Sequence, residues 1–170
     1  MIKRHGTLLI FFVLLAAGVL FVWGTSGALP DLVASAFNVE GAASETVPHW
    51  TYVGRTIANL LLFPTLLVVL LRLLQIITPK MLRRLRPDAP TLPGRRAAAV
   101  AGLVWRADLL ASAIVLFMCY EHGFVLYAST QVPPSVPATL YDGSLLMALA
   151  LVAVWAVLFM RHSRSMKKIV

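Results

Sequence analysis

The stretch IANLLLFPTLLVVLLRLLQIIT, from Ile57 to Thr78, decides the fold, because it is almost solid Leu and Val and carries a single charge, Arg72. A run of this kind matches the roughly 20 apolar residues with which an α-helix crosses the ~30 Å hydrocarbon core of a bilayer. Pro64 removes one backbone donor near the start of the run and predicts a kink, and Pro79 closes it. Working outward, three further apolar runs follow the same rule. The first extends from Thr7 to Trp23 behind Lys3, Arg4 and His5, the third begins after Arg95 and Arg96 and continues to about Ser129, and the fourth runs from Gly143 to Met160. The expectation is an all-α membrane protein, one domain over residues 1–170, with four transmembrane helices at about 7–23, 57–78, 98–128 and 143–160. An outer loop (24–56) and a basic cytoplasmic loop (79–97) connect them, and Pro133, Pro134 and Pro137 make the last connection non-helical. The first run is long for a signal-peptide core, and Gly24 to Ala28 make a poor cleavage site, so an uncleaved helix is expected.

Composition agrees with this class. Of 170 residues, 59% are hydrophobic and only 13% charged, and the mean hydropathy of +0.83 exceeds what a water-soluble domain of this length can bury. A soluble globular protein, a disordered tail and a nucleic-acid-binding module are excluded. The net charge of +8 forms no binding face for DNA or RNA, since the basic residues alternate with apolar blocks. They follow the positive-inside rule instead. Lys3, Arg4, Lys80, Arg83, Arg84, Arg86, Arg95, Arg96, Arg161, Arg164, Lys167 and Lys168 fall on one side of the membrane, and Arg55 is the only basic residue in the opposite loops. Both termini are therefore expected in the cytoplasm, in a bacterial inner membrane. Trp23, Trp50 and the four tyrosines, Tyr52, Tyr120, Tyr127 and Tyr141, lie toward the outer end, as an interfacial aromatic belt does. The lone Cys119 has no intrachain partner, which leaves no disulfide framework and no Cys-based metal site.

The outer loop contains an amphipathic pattern. Pro30 and Asp31 suit a helix start, Leu32, Val33, Ala36 and Phe37 share one helical face, and Gly41 suits a stop, so a short helix on the outer membrane surface is expected. Ser44 to Thr46, followed by Pro48, predict that the second spanning helix begins before its apolar core. Small residues at Ala16 to Gly18, Ala98 to Gly102, Ala107 to Ala111 and along the last run permit close helix approach. Helices one, three and four are thus expected to form the tight core, with helix two facing lipid or a partner chain.

Four ionisable residues fall inside the predicted spans: Arg72, Arg106, Asp108 and Glu121. Arg106 and Glu121 are 15 residues apart, about 22 Å along a helix, and cannot both lie outside a ~30 Å core. A charge at that depth costs about 2.5 to 3.5 kcal/mol on insertion scales and normally faces protein or water. Arg72 is a candidate partner for Asp108, and a polar relay along helices two and three is one reading. The preferred reading is that Arg72 and Arg106 snorkel to headgroups while Glu121 stays at the outer interface. His49 and His122 are haem candidates by residue type and by similar height, although interfacial histidines that cap loops are the better expectation. Gly24-Thr25-Ser26-Gly27 has the Gly-x-Ser-Gly form of intramembrane serine proteases and is read as a linker. Arg83, Arg84, Arg86, Arg95 and Arg96, around Pro87, Pro90 and Pro93, suit anionic lipid headgroups or an acidic partner surface.

No catalytic constellation emerges and no cofactor is implied. The expected function is a non-catalytic small integral-membrane subunit of a larger inner-membrane complex for transport, secretion or respiration, with other membrane subunits and anionic lipids as partners. The alternatives are an ion or proton pathway subunit using the intramembrane charges and a haem or quinone redox anchor. Reporter fusions to Met1 and Val170 are expected to report the same compartment, the cytoplasm; opposite compartments would overturn the four-span topology.

Overall fold

The computed structural model describes residues 2–85 and 93–167. Helix α1 (Ile2–Thr25) leads through a 3-10 turn (Ser26–Ala28) into strands β1 (Leu32–Phe37) and β2 (Ala43–Pro48), followed by α2 (His49–Leu85), α3 (Pro93–Ala128) and α4 (Ala138–Lys167). Among the described residues, three helical segments, Gly6–Ala28, His49–Leu73 and Trp105–Ala128, are long and apolar enough to cross a membrane, and Asp142–Val157 is a shorter apolar segment.

The core is the meeting line of α1, α2 and α3. Phe11, Leu15, Gly18 and Val22 of α1 recur every three or four residues, Val53, Leu60, Pro64 and Val68 of α2 and Ala107, Ala111, Val115 and His122 of α3 every four or seven, and all are buried. Pro64 sits within α2 without ending it. The opposite faces are exposed and greasy: Leu9, Phe12 and Leu20 on α1, Leu62, Phe63, Leu66 and Leu70 on α2. Lipid tails are as apolar as Leu, so such helices associate through close packing and polar contacts and not through the hydrophobic effect. Gly18 marks a close approach. A Cβ there would lie 3.0 Å from Cys119 Sγ, 3.2 Å from Leu60 Cδ2 and 3.4 Å from Val115 Cγ1, so glycine lets α1 seat against both neighbours.

Helix two is therefore a core element, contrary to the small-residue argument. Gly18 and Ala111 leave room that the larger α2 stripe fills, so small residues on two helices recruit large ones on the third. It is α4 that is peripheral. It packs on α3, and Leu146, Leu149, Val152, Val154 and Val157 remain exposed.

The outer-loop segment is a β-hairpin, not the expected amphipathic helix. β1 and β2 pair antiparallel with Leu32 opposite Pro48, Val33 opposite Val47 and Ala34 opposite Thr46, and the register shifts on either side of Ala36. That irregularity explains the misreading, because an interrupted strand breaks the two-residue alternation and imitates a helical face. The turn is built from polar chemistry. Asn38 Oδ1 accepts from the N–H groups of Glu40 (3.1 Å) and Ala42 (2.9 Å), and Gly41 takes φ 80°, where a side chain would be strained. Val33 and Phe37 seat the hairpin on the bundle, with Phe37 edge-on to Phe124 at 5.7 Å. The α3–α4 connection joins it through Val136 N–H to Gly41 C=O (2.8 Å) and Ala43 N–H to Pro134 C=O (3.3 Å).

Two further boundaries differ from expectation. α2 does begin before its apolar core, but at His49, directly after Pro48, while Ser44 to Thr46 belong to β2 and not to a helix start. The basic loop is shorter than 79–97, because α2 continues past Pro79 to Leu85 and α3 starts at Pro93. Proline suits that first helical position, since the N–H it lacks would have no intrahelical acceptor. Arg83 and Arg84 thus belong to α2, Arg95 and Arg96 to α3, and Arg86 lies outside the described residues.

Gly18→Ala is expected to lower the thermal stability of the purified protein by about 1 to 3 kcal/mol through overpacking, and Cys119→Ala in that background to recover most of the loss. An unchanged melting temperature for Gly18→Ala would contradict the close seating of α1.

Candidate functional site: two polar clamps across three helices

The three core helices are tied by hydrogen bonds near each end of the bundle. Near the end that holds the start of α1, Asp108 of α3 is fully buried, and its carboxylate accepts from two other helices. Arg72 Nη2 of α2 lies 3.0 Å from both Oδ1 and Oδ2, and Thr7 Oγ1 of α1 donates to Oδ2 at 2.9 Å. Ser112 Oγ, one turn along, donates to the Asp108 carbonyl at 2.8 Å. The side chain of Asp108 is 1% exposed and that of Arg72 31%, so the carboxylate is sealed while the guanidinium reaches the bundle surface. Arg72 thus pairs with Asp108, the candidate partner, and does not simply snorkel to headgroups. Desolvating two charges is costly, and the additional Thr7 bond helps the pair compensate for it.

Near the hairpin end, His122 of α3 is 1% exposed and engages both of its neighbours. Its Nε2 lies 2.9 Å from Thr25 Oγ1 of α1, and its Nδ1 lies 3.1 Å from Tyr52 OH of α2. Tyr52 stacks on the imidazole with ring centroids 5.8 Å apart, and Phe21 meets it edge-on at 5.5 Å. Proton placement follows from donor economy. Thr25 Oγ1 also lies 2.7 Å from the Phe21 carbonyl and donates there; the ring then donates from Nε2–H to Thr25, and its Nδ1 accepts from the Tyr52 hydroxyl. A neutral imidazole satisfies every group. Tyr52 is thus an interior tether and not part of an exposed aromatic belt, whereas Trp23 and Trp50 are exposed, with rings 6.2 Å apart.

Fourteen residues of α3, about 21 Å, separate the clamps. Phe11, Leu15, Val22, Leu60, Val68, Ala111 and Val115 fill the space between them. Arg72 and Asp108 therefore belong to one cluster and Glu121 to the other end of the bundle, with apolar packing between. Arg106 and Glu121 take part in the hydrogen bonds of neither clamp. Arg106 Nε and Nη1 and Glu121 Oε1 are buried without a hydrogen-bond partner among the described residues, and the Arg106 guanidinium lies 5.6 Å from the Trp105 ring centre.

The donor set does not fit an axial pair of haem ligands. Both nitrogens of His122 are occupied by hydroxyls, and His49 packs its ring against Trp50 at 4.8 Å with Nε2 buried and unpartnered. No group of three or more His, Cys, Asp or Glu that could hold a metal ion occurs among the described residues. In the Gly24 to Gly27 string, Ser26 Oγ donates to the Trp23 carbonyl at 2.7 Å, so the hydroxyl beside a histidine is that of Thr25.

Sequence reasoning missed Thr7, Thr25 and Tyr52. Their signal is positional: Thr7, Phe11, Leu15, Gly18, Val22 and Thr25 form one helical stripe, so both threonines face the core. No protein-family model, no curated protein and no solved structure matches the chain.

Arg72→Leu is expected to destabilise the bundle by about 3 to 5 kcal/mol, because it strands a sealed carboxylate. Asp108→Leu costs less, since the half-exposed Arg72 can extend to the surface, and the double variant recovers much of the single Arg72→Leu loss. Thermal unfolding of the four proteins in detergent measures the cycle; additive losses would refute the coupling.

Proposed function

We propose that the chain is a non-catalytic, four-span subunit of a larger inner-membrane complex, with both termini in the cytoplasm. The observation that carries this reading is the state of Arg106 and Glu121. Asp108 and His122 on the inner stripe of α3 are engaged by α1 and α2, while Arg106 and Glu121 are half-buried ionisable groups within a candidate span that take part in neither clamp. Ionisable groups within an apolar span normally face protein or water, and a neighbouring subunit is one source of such surroundings for their accessible parts. The peripheral α4, with its exposed apolar face, supports the same reading, and so does the concentration of basic residues at the opposite end from the hairpin.

An ion or proton pathway through Arg72, Asp108 and Glu121 is disfavoured by the apolar packing between the clamps and by the saturation of Asp108. Tagged full-length chain, extracted from its native membrane in mild detergent, is expected to appear by native mass spectrometry in an assembly with other integral-membrane chains. A well-behaved lone monomer would overturn the proposal.

A further inference from the structure

We infer that the Trp105 end of α3 binds an anionic phospholipid of the inner leaflet, its phosphate held by Arg106 beside the Trp105 indole and one acyl chain lying along Leu109 and Leu116. The inference takes from the subunit reading only its orientation, with the basic end of the bundle in the cytoplasm, and it occupies one leaflet of one helix face.

Three residues set the depth. Thr7 is the second residue of one candidate span, Arg106 the second of another, and Arg72 the last but one of the third, which puts their polar groups at the border between hydrocarbon and headgroups. Two of them are cations, and they differ in what they meet. Arg72 pairs with the sealed Asp108 carboxylate, whereas Arg106 enters no ion pair among the described residues, and the other described acids lie toward the hairpin end. The Arg106 guanidinium sits 5.6 Å from the centre of the Trp105 ring. Its Nε and Nη1 are buried, and Nη2 is the nitrogen that stays accessible. One N–H donor with an unbalanced positive charge is thus offered outward at headgroup depth, and a phosphate oxygen is the acceptor that suits it. A zwitterionic headgroup brings its own ammonium to compete for that phosphate; an anionic one does not.

Helical geometry supplies a place for the rest of the lipid. At 100° per residue, Leu109, Leu116, Tyr120 and Tyr127 lie about 40° to 80° to one side of Arg106, with Trp105 at about 100° on the same side, and all five are exposed. Leu110, Ala113 and Phe117, within about 40° of Arg106, are half-buried and form the covered flank. Arg106 therefore stands on the seam between a covered and an open face, which accounts for the enclosure of two of its nitrogens and the access to the third. Ten residues separate Arg106 from Leu116, about 15 Å along the helix. That is the depth of one leaflet in a ~30 Å core, so a chain that hangs from a phosphate at Arg106 runs down this strip.

The test titrates the purified full chain in detergent with dioleoyl phosphatidylglycerol or dioleoyl phosphatidylcholine, which differ in headgroup alone, and reads the first bound lipid by native mass spectrometry. Phosphatidylglycerol is expected to bind about fivefold tighter, the step that one arginine near the surface contributes. Arg106→Gln should erase that preference, Arg106→Lys should keep most of it, and Arg55→Gln, exposed near the hairpin end of α2, should leave it whole. Leu109→Asn with Leu116→Asn should weaken both lipids and preserve their ratio, which separates the chain contact from the headgroup contact. Inorganic phosphate should not displace the lipid, since it has no chain to lie on the strip. Equal affinities for the two lipids, a preference that survives Arg106→Gln, unweakened binding in the doubly polar chain, or displacement by inorganic phosphate overturns the inference. The two readings fail separately: a native assembly whose chain shows no lipid preference refutes the lipid site alone, whereas a lone monomer from native membranes refutes the subunit reading whatever lipid is bound.

Discussion

A carboxylate enclosed by three helices organises this molecule. Asp108 has no water to fall back on, so its oxygens dictate where α1 and α2 stand: Thr7 must come within 2.9 Å and Arg72 within 3.0 Å. Those demands fix the rotation of all three helices about their long axes, because a turn of either neighbour would withdraw its donor. Once rotation is set, the apolar stripes follow, with Gly18 against Cys119 and Leu60, and Phe11 and Leu15 against Val115 and Ala111. Dispersion supplies most of the attraction, yet apolar packing tolerates many rotations of similar energy. The polar contacts choose among them.

The second cluster repeats the logic with a different residue type. His122 can bond two partners at once from opposite edges of a rigid ring, and it spends both nitrogens on hydroxyls from the flanking helices. One residue from each core helix is used at each end. Two separated constraints hold a bundle against twisting far better than one, since motion about the first displaces the second.

How much of this could be read beforehand depends on which physical signal each element leaves. The three long spans were legible because length and apolarity need no context. Arg72 and Asp108 were legible as candidate partners because opposite charges at one depth are rare in such segments. The hairpin was hidden: Leu32, Val33, Ala36 and Phe37 satisfy a helical face and an irregular strand equally well, and only the side chain of Asn38 and the backbone of Gly41 distinguish them. The placement of α2 inside the core was misjudged because small residues mark where a helix is approached, not which helix approaches it. The tethering roles of Thr7, Thr25 and Tyr52 were hidden because a hydroxyl within a greasy run has almost no signature of its own; it becomes informative when its stripe is traced to a buried acid or imidazole.

The backbone bonds that stitch the hairpin to the α3–α4 connection have a mechanical consequence. They pin α4 at its Ala138 end, through Gly41 with Val136 and Ala43 with Pro134, while along its length it leans chiefly on α3. A rod fastened at one tip and lightly supported elsewhere behaves as a lever whose fulcrum is the cap. Its 30 residues make an arm of about 45 Å, so a swing of roughly 10° would carry the Lys167 tip some ~8 Å sideways while leaving the pinned tip in place.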